Sequence, residues 1–128
     1  MNKESLSPYT NMIGNQDLEK ALMAKTIIDK DYSRHYTYQD LARMVATNLQ
    51  KLTIFFKKAT NKNPYQYLTA VRIEKAMCLL ETTTLTVETI ASNVGLDKTN
   101  LNKQFKKVHG ITPNAWRKVQ RQIKHVSN

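Results

Sequence analysis

Apolar residues along this 128-residue chain recur mostly at spacings of three and four, and stretches of strict polar–apolar alternation are few. Helices are therefore predicted throughout. A first helix starts at Gln16, where Leu18, Ala21, Leu22, Ala24 and Ile28 make an approximate stripe and Asp17 and Glu19 suit the positive N-terminal end. Short helices follow over 39–45 and 88–94, each preceded by a threonine (Thr37, Thr86) whose hydroxyl can cap it. Asn48 and Asp97 occupy the next cap positions and open helices running to about residues 59 and 108. In these, Leu52, Phe56 and Ala59 recur at i, i+4, i+7, as do Leu101, Phe105 and Val108, giving each helix one buried stripe. Asn63-Pro64 and Thr112-Pro113 restart the helix, because proline in a first turn forfeits no hydrogen bond.

These elements come in two copies. Residues 36–68 align with residues 85–117 at a constant offset and without a gap, so that Thr37 meets Thr86, Ala42 meets Ala91, and Val45 meets Val94. Leu52, Phe56, Lys57, Lys58 and Pro64 likewise fall on Leu101, Phe105, Lys106, Lys107 and Pro113. The expected fold class is all-α, two helix-turn-helix subdomains joined by a central helix. The segments are a flexible arm (1–15), a first subdomain (16–64), a linker helix (65–82), a second subdomain (83–124) and a tail (125–128).

The net charge of +10 is confined to the repeated part. Residues 1–35 hold five basic and five acidic side chains, whereas residues 36–128 hold fifteen and five. Such a surplus favours a polyanion, although a lysine-rich solvated surface has the same composition. A lone cysteine, Cys78, rules out an internal disulfide and agrees with a reducing compartment. No apolar run approaches the ~20 residues needed to span a bilayer. The N-terminus lacks a signal-peptide layout, so the expected location is cytoplasmic, with the nucleoid.

A helix, a tight turn and a second helix is the arrangement that presents the second helix to a DNA major groove. Opposite the Leu/Phe stripe, Gln50, Thr53, Ile54 and Lys57 fall at i, i+3, i+4, i+7, and Thr99, Asn102, Lys103 and Lys106 repeat that register. Amides, hydroxyls and amines suit base edges, an aliphatic group suits a thymine methyl, and the Lys57-Lys58 and Lys106-Lys107 pairs suit phosphate.

The most specific pieces are the Arg72-Ile73-Glu74-Lys75-Ala76…Leu79-Leu80 helix, the Ile90-Ala91…Val94-Gly95 turn and the Phe105-Lys106-Lys107…Gly110-Ile111-Thr112-Pro113 segment. Over residues 16–118 the chain resembles the DNA-binding domain of AraC/XylS-type transcriptional regulators. The resemblance implies about seven helices in a bilobed fold whose central helix, roughly 24 Å long over residues 65–80 at 1.5 Å per residue, sets two recognition helices about one duplex turn apart. It also implies a monomer on an asymmetric promoter site in double-stranded DNA, with recruitment of RNA polymerase and activation as the outcome. Carried over by position, the base readers are Gln50, Thr53 and Ile54, with Lys51 beside them, and Thr99, Asn102 and Lys103, with Asn100 beside them. Phosphate falls to Lys57, Lys106 and the helix N-terminal amides at Asn48, Asp97, Asn63 and Thr112, with Asp97 a cap first because its charge repels.

Two positions depart from the family pattern. Ala46 replaces the turn glycine kept at Gly95, and Ile54 stands where a polar or basic reader is usual. Residues 1–35 are too few for a sensor or dimerisation domain, so the expectation is a standalone regulator controlled by its abundance or a fragment of a longer chain. Other residues read as structural: Cys78 as a small buried apolar group, Tyr67 and Trp116 as core anchors, and His109 as a loop residue near solvent. Arg72 is open to phosphate or to an acid such as Glu74 or Asp40. Spacing among His35, His109, His125 and Cys78 suits no metal, and paired carboxylates, nucleophile motifs and glycine-rich phosphate loops are lacking, so neither cofactor nor catalysis is expected. The competing function is an adaptor of the same fold that docks on RNA polymerase or another regulator.

Overall fold

The computed structural model describes residues 8–127, with side chains described over 16–124. Among the described residues there are seven helices and no strand: α1 (Pro8–Lys30), α2 (Tyr38–Met44), α3 (Leu49–Thr60), α4 (Pro64–Thr82), α5 (Val87–Val94), α6 (Lys98–His109) and α7 (Pro113–Ser127). Two compact units divide them. One takes residues up to Asp31 with Tyr36–Leu68, and the other takes Tyr32–His35 with residues from Thr69 onward. The segment expected as a separate linker helix is thus shared, its first turn counted with one unit and the rest with the other.

Local signals formed the helices where expected. Thr37 accepts from the Asp40 amide at 2.9 Å while the Asp40 carboxylate accepts from the Thr37 amide at 3.2 Å, a reciprocal cap. Thr86, Asn48 and Asp97 accept from the amides of Thr89, Lys51 and Asn100 in the same way. In the first unit α1 packs on α3, with α2 against both. Ala21, Ala24, Ile28, Leu41, Ala42, Leu52 and Phe56 are buried, and Tyr67 meets Phe56 edge-on at 5.6 Å. In the second unit Ile73, Ala76, Leu80, Val87, Ile90, Ala91, Val94, Leu101 and Phe105 form the core, with Trp116 edge-on to Phe105 at 6.0 Å.

Several expectations need correction. Helix α1 begins at Pro8 rather than Gln16, so residues 8–15 of the expected arm are helical; the rest of the arm lies outside the described residues. Proline suits a first turn, and Gly14 costs a helix only about 1 kcal/mol. At the other end α7 continues to Ser127, absorbing most of the expected tail. Leu22 and Val108 are exposed; Leu22 lies roughly 130° around α1 from the buried Ala21, Ala24 and Ile28, and Val108 falls in the last turn of α6. Cys78 is exposed rather than buried, since α4 turns Ala76 and Leu80 inward and the residue midway between them points away. His109 is the last residue of α6, half-buried with its ring 4.5 Å from that of Phe105.

Candidate nucleic-acid interface

The turn between the paired helices fixes where the second helix points. In the second unit the Leu96 amide donates to the Ala91 carbonyl at 2.8 Å and the Gly95 amide to Ser92 at 3.1 Å. In the first, Thr47 and Ala46 make the equivalent bonds to Ala42 and Arg43 at 2.9 and 3.0 Å. Both turns need a left-handed residue: Gly95 has φ 88° and Ala46 φ 57°. Alanine therefore keeps the turn geometry of glycine at a cost of about 1–2 kcal/mol of backbone strain. The Lys20 ammonium donates to the Ala46 carbonyl at 2.9 Å and braces the strained turn from α1.

With Leu52 and Phe56 turned inward on α3, Gln50, Lys51, Ile54 and Lys57 are exposed and Thr53 is half-buried. With Leu101 and Phe105 turned inward on α6, Thr99, Asn100, Lys103 and Lys106 are exposed and Asn102 is half-buried. Each unit therefore gathers its expected base readers on the outward side of one helix. Among the described residues no acid is paired with Lys51, Lys57, Lys103 or Lys106, so their charges are free to meet an anion.

The two faces differ in chemistry. The Thr53 hydroxyl donates to the Leu49 carbonyl at 2.9 Å, which leaves its methyl and an acceptor lone pair. Beside it Ile54 is 45% exposed, and Leu49, at the start of α3, is 40% exposed. Leu49 was missed in the sequence, although its repeat partner Lys98 marks the position as outward. On α6 the outward residues are mainly polar. Asn100 is partly committed, its side-chain amide donating to Asp97 at 3.2 Å, so it belongs to the cap before it belongs to a reading face. Lys98 reaches Glu88 at 3.3 Å across the turn.

The four expected amide sites are unequal. Asn48, Asp97 and Thr112 each take the amide three residues on, at 2.8, 2.7 and 3.2 Å. At Asn63 the end is closed. Its own amide donates to Gln66, the Gln66 amide to Asn63, and the Tyr65 amide to the Tyr38 hydroxyl, while Pro64 has none. The phosphate role expected at Asn63 loses its free donors. Arg72 is buried rather than outward, donating to the carbonyls of Tyr32 and Arg34 at 2.7 and 3.0 Å. No helix among the described residues is long and apolar enough to cross a membrane, and no group of His, Cys, Asp or Glu there is placed to hold a metal ion.

Capped short helix, left-handed turn and basic outward helix, repeated, define a helix-turn-helix protein. A family model described as "Helix-turn-helix domain" matches residues 41–119, and the chain belongs to the AraC/XylS-type helix-turn-helix family. It carries the DNA-binding domain of that family, whose members are transcription regulators and not enzymes. Among its relatives, the raffinose operon transcriptional regulatory protein of Pediococcus pentosaceus is 32% identical over 101 residues, covering 78% of this chain and 36% of the relative. A lactose operon transcription activator of Staphylococcus xylosus is 31% identical over 106 residues, covering 82% and 37%. The chain thus spans about a third of the length of these relatives. The solved C-terminal domain of AraT, a response regulator from Geobacillus stearothermophilus, superposes with a TM-score of 0.75 at 28% identity, covering 78% of this chain and 84% of that one.

Proposed function

We propose that the chain is a sequence-specific reader of double-stranded DNA that acts as a transcription regulator, with α3 and α6 lying in successive major-groove faces of one asymmetric site. The observation that carries this reading is the duplicated second helix, buried by Leu and Phe on one side and lined by polar readers and uncommitted lysines on the other. Gln50, Thr53 and Ile54 read one half of the site, with Lys51 and Leu49 at its edge. Thr99, Asn102 and Lys103 read the other. Lys57 and Lys106 hold phosphate beside the open helix ends at Asn48 and Thr112.

One chain supplies both reading helices, so a monomer fills the site. The names of its relatives support operon regulation, and that of the Staphylococcus xylosus protein supports activation, for which contact with RNA polymerase is the ordinary route. Such work places the protein in the cytoplasm with the nucleoid.

Selection of binding sites from a random duplex pool tests the reading. The expected product is a non-palindromic site with two blocks about 10 base pairs apart. Affinity should fall steeply with salt, with a slope counting the phosphates neutralised. An adaptor that docks on another protein would enrich no sequence, and that outcome overturns the proposal.

A further inference from the structure

Helix α1 has two apolar sides, and its packing uses one. Asp17, Ala21, Ala24 and Ile28 are buried, and at about 100° per residue they cluster on one side of the helix. Leu22 and Met23 are 44% and 53% exposed, and with Glu19, Thr26 and Ile27 they line one open hollow on the surface. Together with exposed Lys30, these residues fall within an arc of roughly 140° whose centre lies about 160° from the buried set. Thr26 does not make this side polar, because its hydroxyl donates to the Leu22 carbonyl at 3.1 Å and satisfies itself within the helix.

We propose that this side of α1 pairs, antiparallel, with the same side of a second copy of the chain. The order of charges selects that occupant. The apolar centre is bounded by an acid at one end, Glu19, and a base at the other, Lys30, so the stripe is its own complement when reversed. In the antiparallel register Glu19 lies opposite Lys30 of the second copy, Leu22 opposite its Ile27, and Met23 opposite its Thr26. Both ends then carry an ion pair, whereas a parallel arrangement sets Glu19 against Glu19 and Lys30 against Lys30. Opposed helix dipoles favour the same choice.

About six residues per copy over roughly 16 Å of helix bury on the order of 1,000 Å² in total, short of the range of stable dimers. The pairing is therefore weak, with a Kd on the order of tens of micromolar. It is independent of the DNA-reading proposal, which needs a single chain.

Sedimentation velocity of the whole chain from about 5 to about 500 µM, in reducing buffer to keep exposed Cys78 from linking copies, is expected to show a reversible monomer–dimer equilibrium. Glu19→Lys and Lys30→Glu each place like charges at both ends and should weaken pairing about tenfold at low salt. The combined variant should restore it to within about twofold. Met23→Glu should abolish it, with Met23→Gln intermediate, and unchanged helical circular dichroism checks that each variant is folded. A chain that stays monomeric over the whole range overturns the proposal. So does a dimer that either reversal leaves intact or the double reversal fails to restore, since another surface then forms it.

Discussion

Replacing Gly95 with alanine tests how the turn that leads into α6 is held. Gly95 has φ +88°, and a Cβ built there would sit 2.6 Å from the Ser33 carbonyl oxygen and 2.9 Å from the Ser33 Cα. Both are backbone atoms, so neither can swing aside as a side chain would. Three contributions combine. The left-handed conformation costs alanine about 1–2 kcal/mol, the reduced freedom of the unfolded chain returns about 0.4–1 kcal/mol, and overpacking against Ser33 costs about 1–3 kcal/mol. The net expectation is a loss of about 1–4.5 kcal/mol, centred on ~3 kcal/mol. Gly110→Ala separates these contributions, since Gly110 has φ +80° with nothing within 4 Å of its would-be Cβ. That variant should lose about 0.5–1 kcal/mol. Urea unfolding followed by tryptophan fluorescence is the assay, because the chain has one tryptophan, Trp116, packed on Phe105 in the same unit. Equal losses for the two variants, within about 0.5 kcal/mol, would refute the argument that Ser33 makes position 95 obligatory glycine. Ala46→Gly is the converse, expected to gain about 0.5–1 kcal/mol by relieving strain at φ 57°.

Four further outcomes are expected. Lys106→Ala should weaken binding to all duplexes alike and lower the salt slope by about one, while Asn102→Ala or Lys103→Ala should shift preference at one or two base pairs in selection, costing about 1–3 kcal/mol on the preferred site. Replacing thymine by uracil in the half read by α3 should reduce affinity about fourfold, the worth of one methyl, and Ile54→Ala should erase that difference in a gel-shift titration. Arg117→Met should cost about 2–4 kcal/mol in urea unfolding, because the buried guanidinium donates to the carbonyls of Leu80, Leu85 and Thr83 at 3.1, 2.6 and 3.3 Å and the variant strands all three. The Thr37 amide, then its hydroxyl, hold the Asp40 carboxyl below the ordinary carboxylate range, with Arg43 adding to the effect. A depressed folded pKa stabilises above the unfolded value and is lost as pH falls through the folded one, so the stability difference between wild type and Asp40→Asn should be present at neutral pH and fade as pH falls below the ordinary carboxylate range.

Sequence was most legible where physics is local. A cap, a left-handed turn and a stripe at i, i+4 each involve residues a few positions apart. Thr37, Asn48, Thr86 and Asp97 were therefore identifiable as caps, and Leu52, Phe56, Leu101 and Phe105 as core, from the spacing of neighbours alone. The duplication multiplied the signal, because two matching faces are harder to reach by accident than one. The outward sides of α3 and α6 were legible for the same reason: once the buried stripe is known, the helical period names the opposite side.

Sequence alone determined the all-helical class, the repeated helix-turn-helix and the outward side of each second helix. Only the tertiary structure decided which apolar residues find a partner and which polar groups are already occupied. Leu22 and Ile28 look alike along α1, yet burial requires a facing element, and only Ile28 has one. Along the chain Arg72 is open to phosphate or to an acid and Arg117 carries no signal, but both donate hydrogen bonds to carbonyls more than thirty residues away. Tyr38 closes the end of α4 across a similar gap, through a bond to the Tyr65 amide. Such bonds leave no periodic trace, because they depend on where distant segments meet and not on the spacing of neighbours.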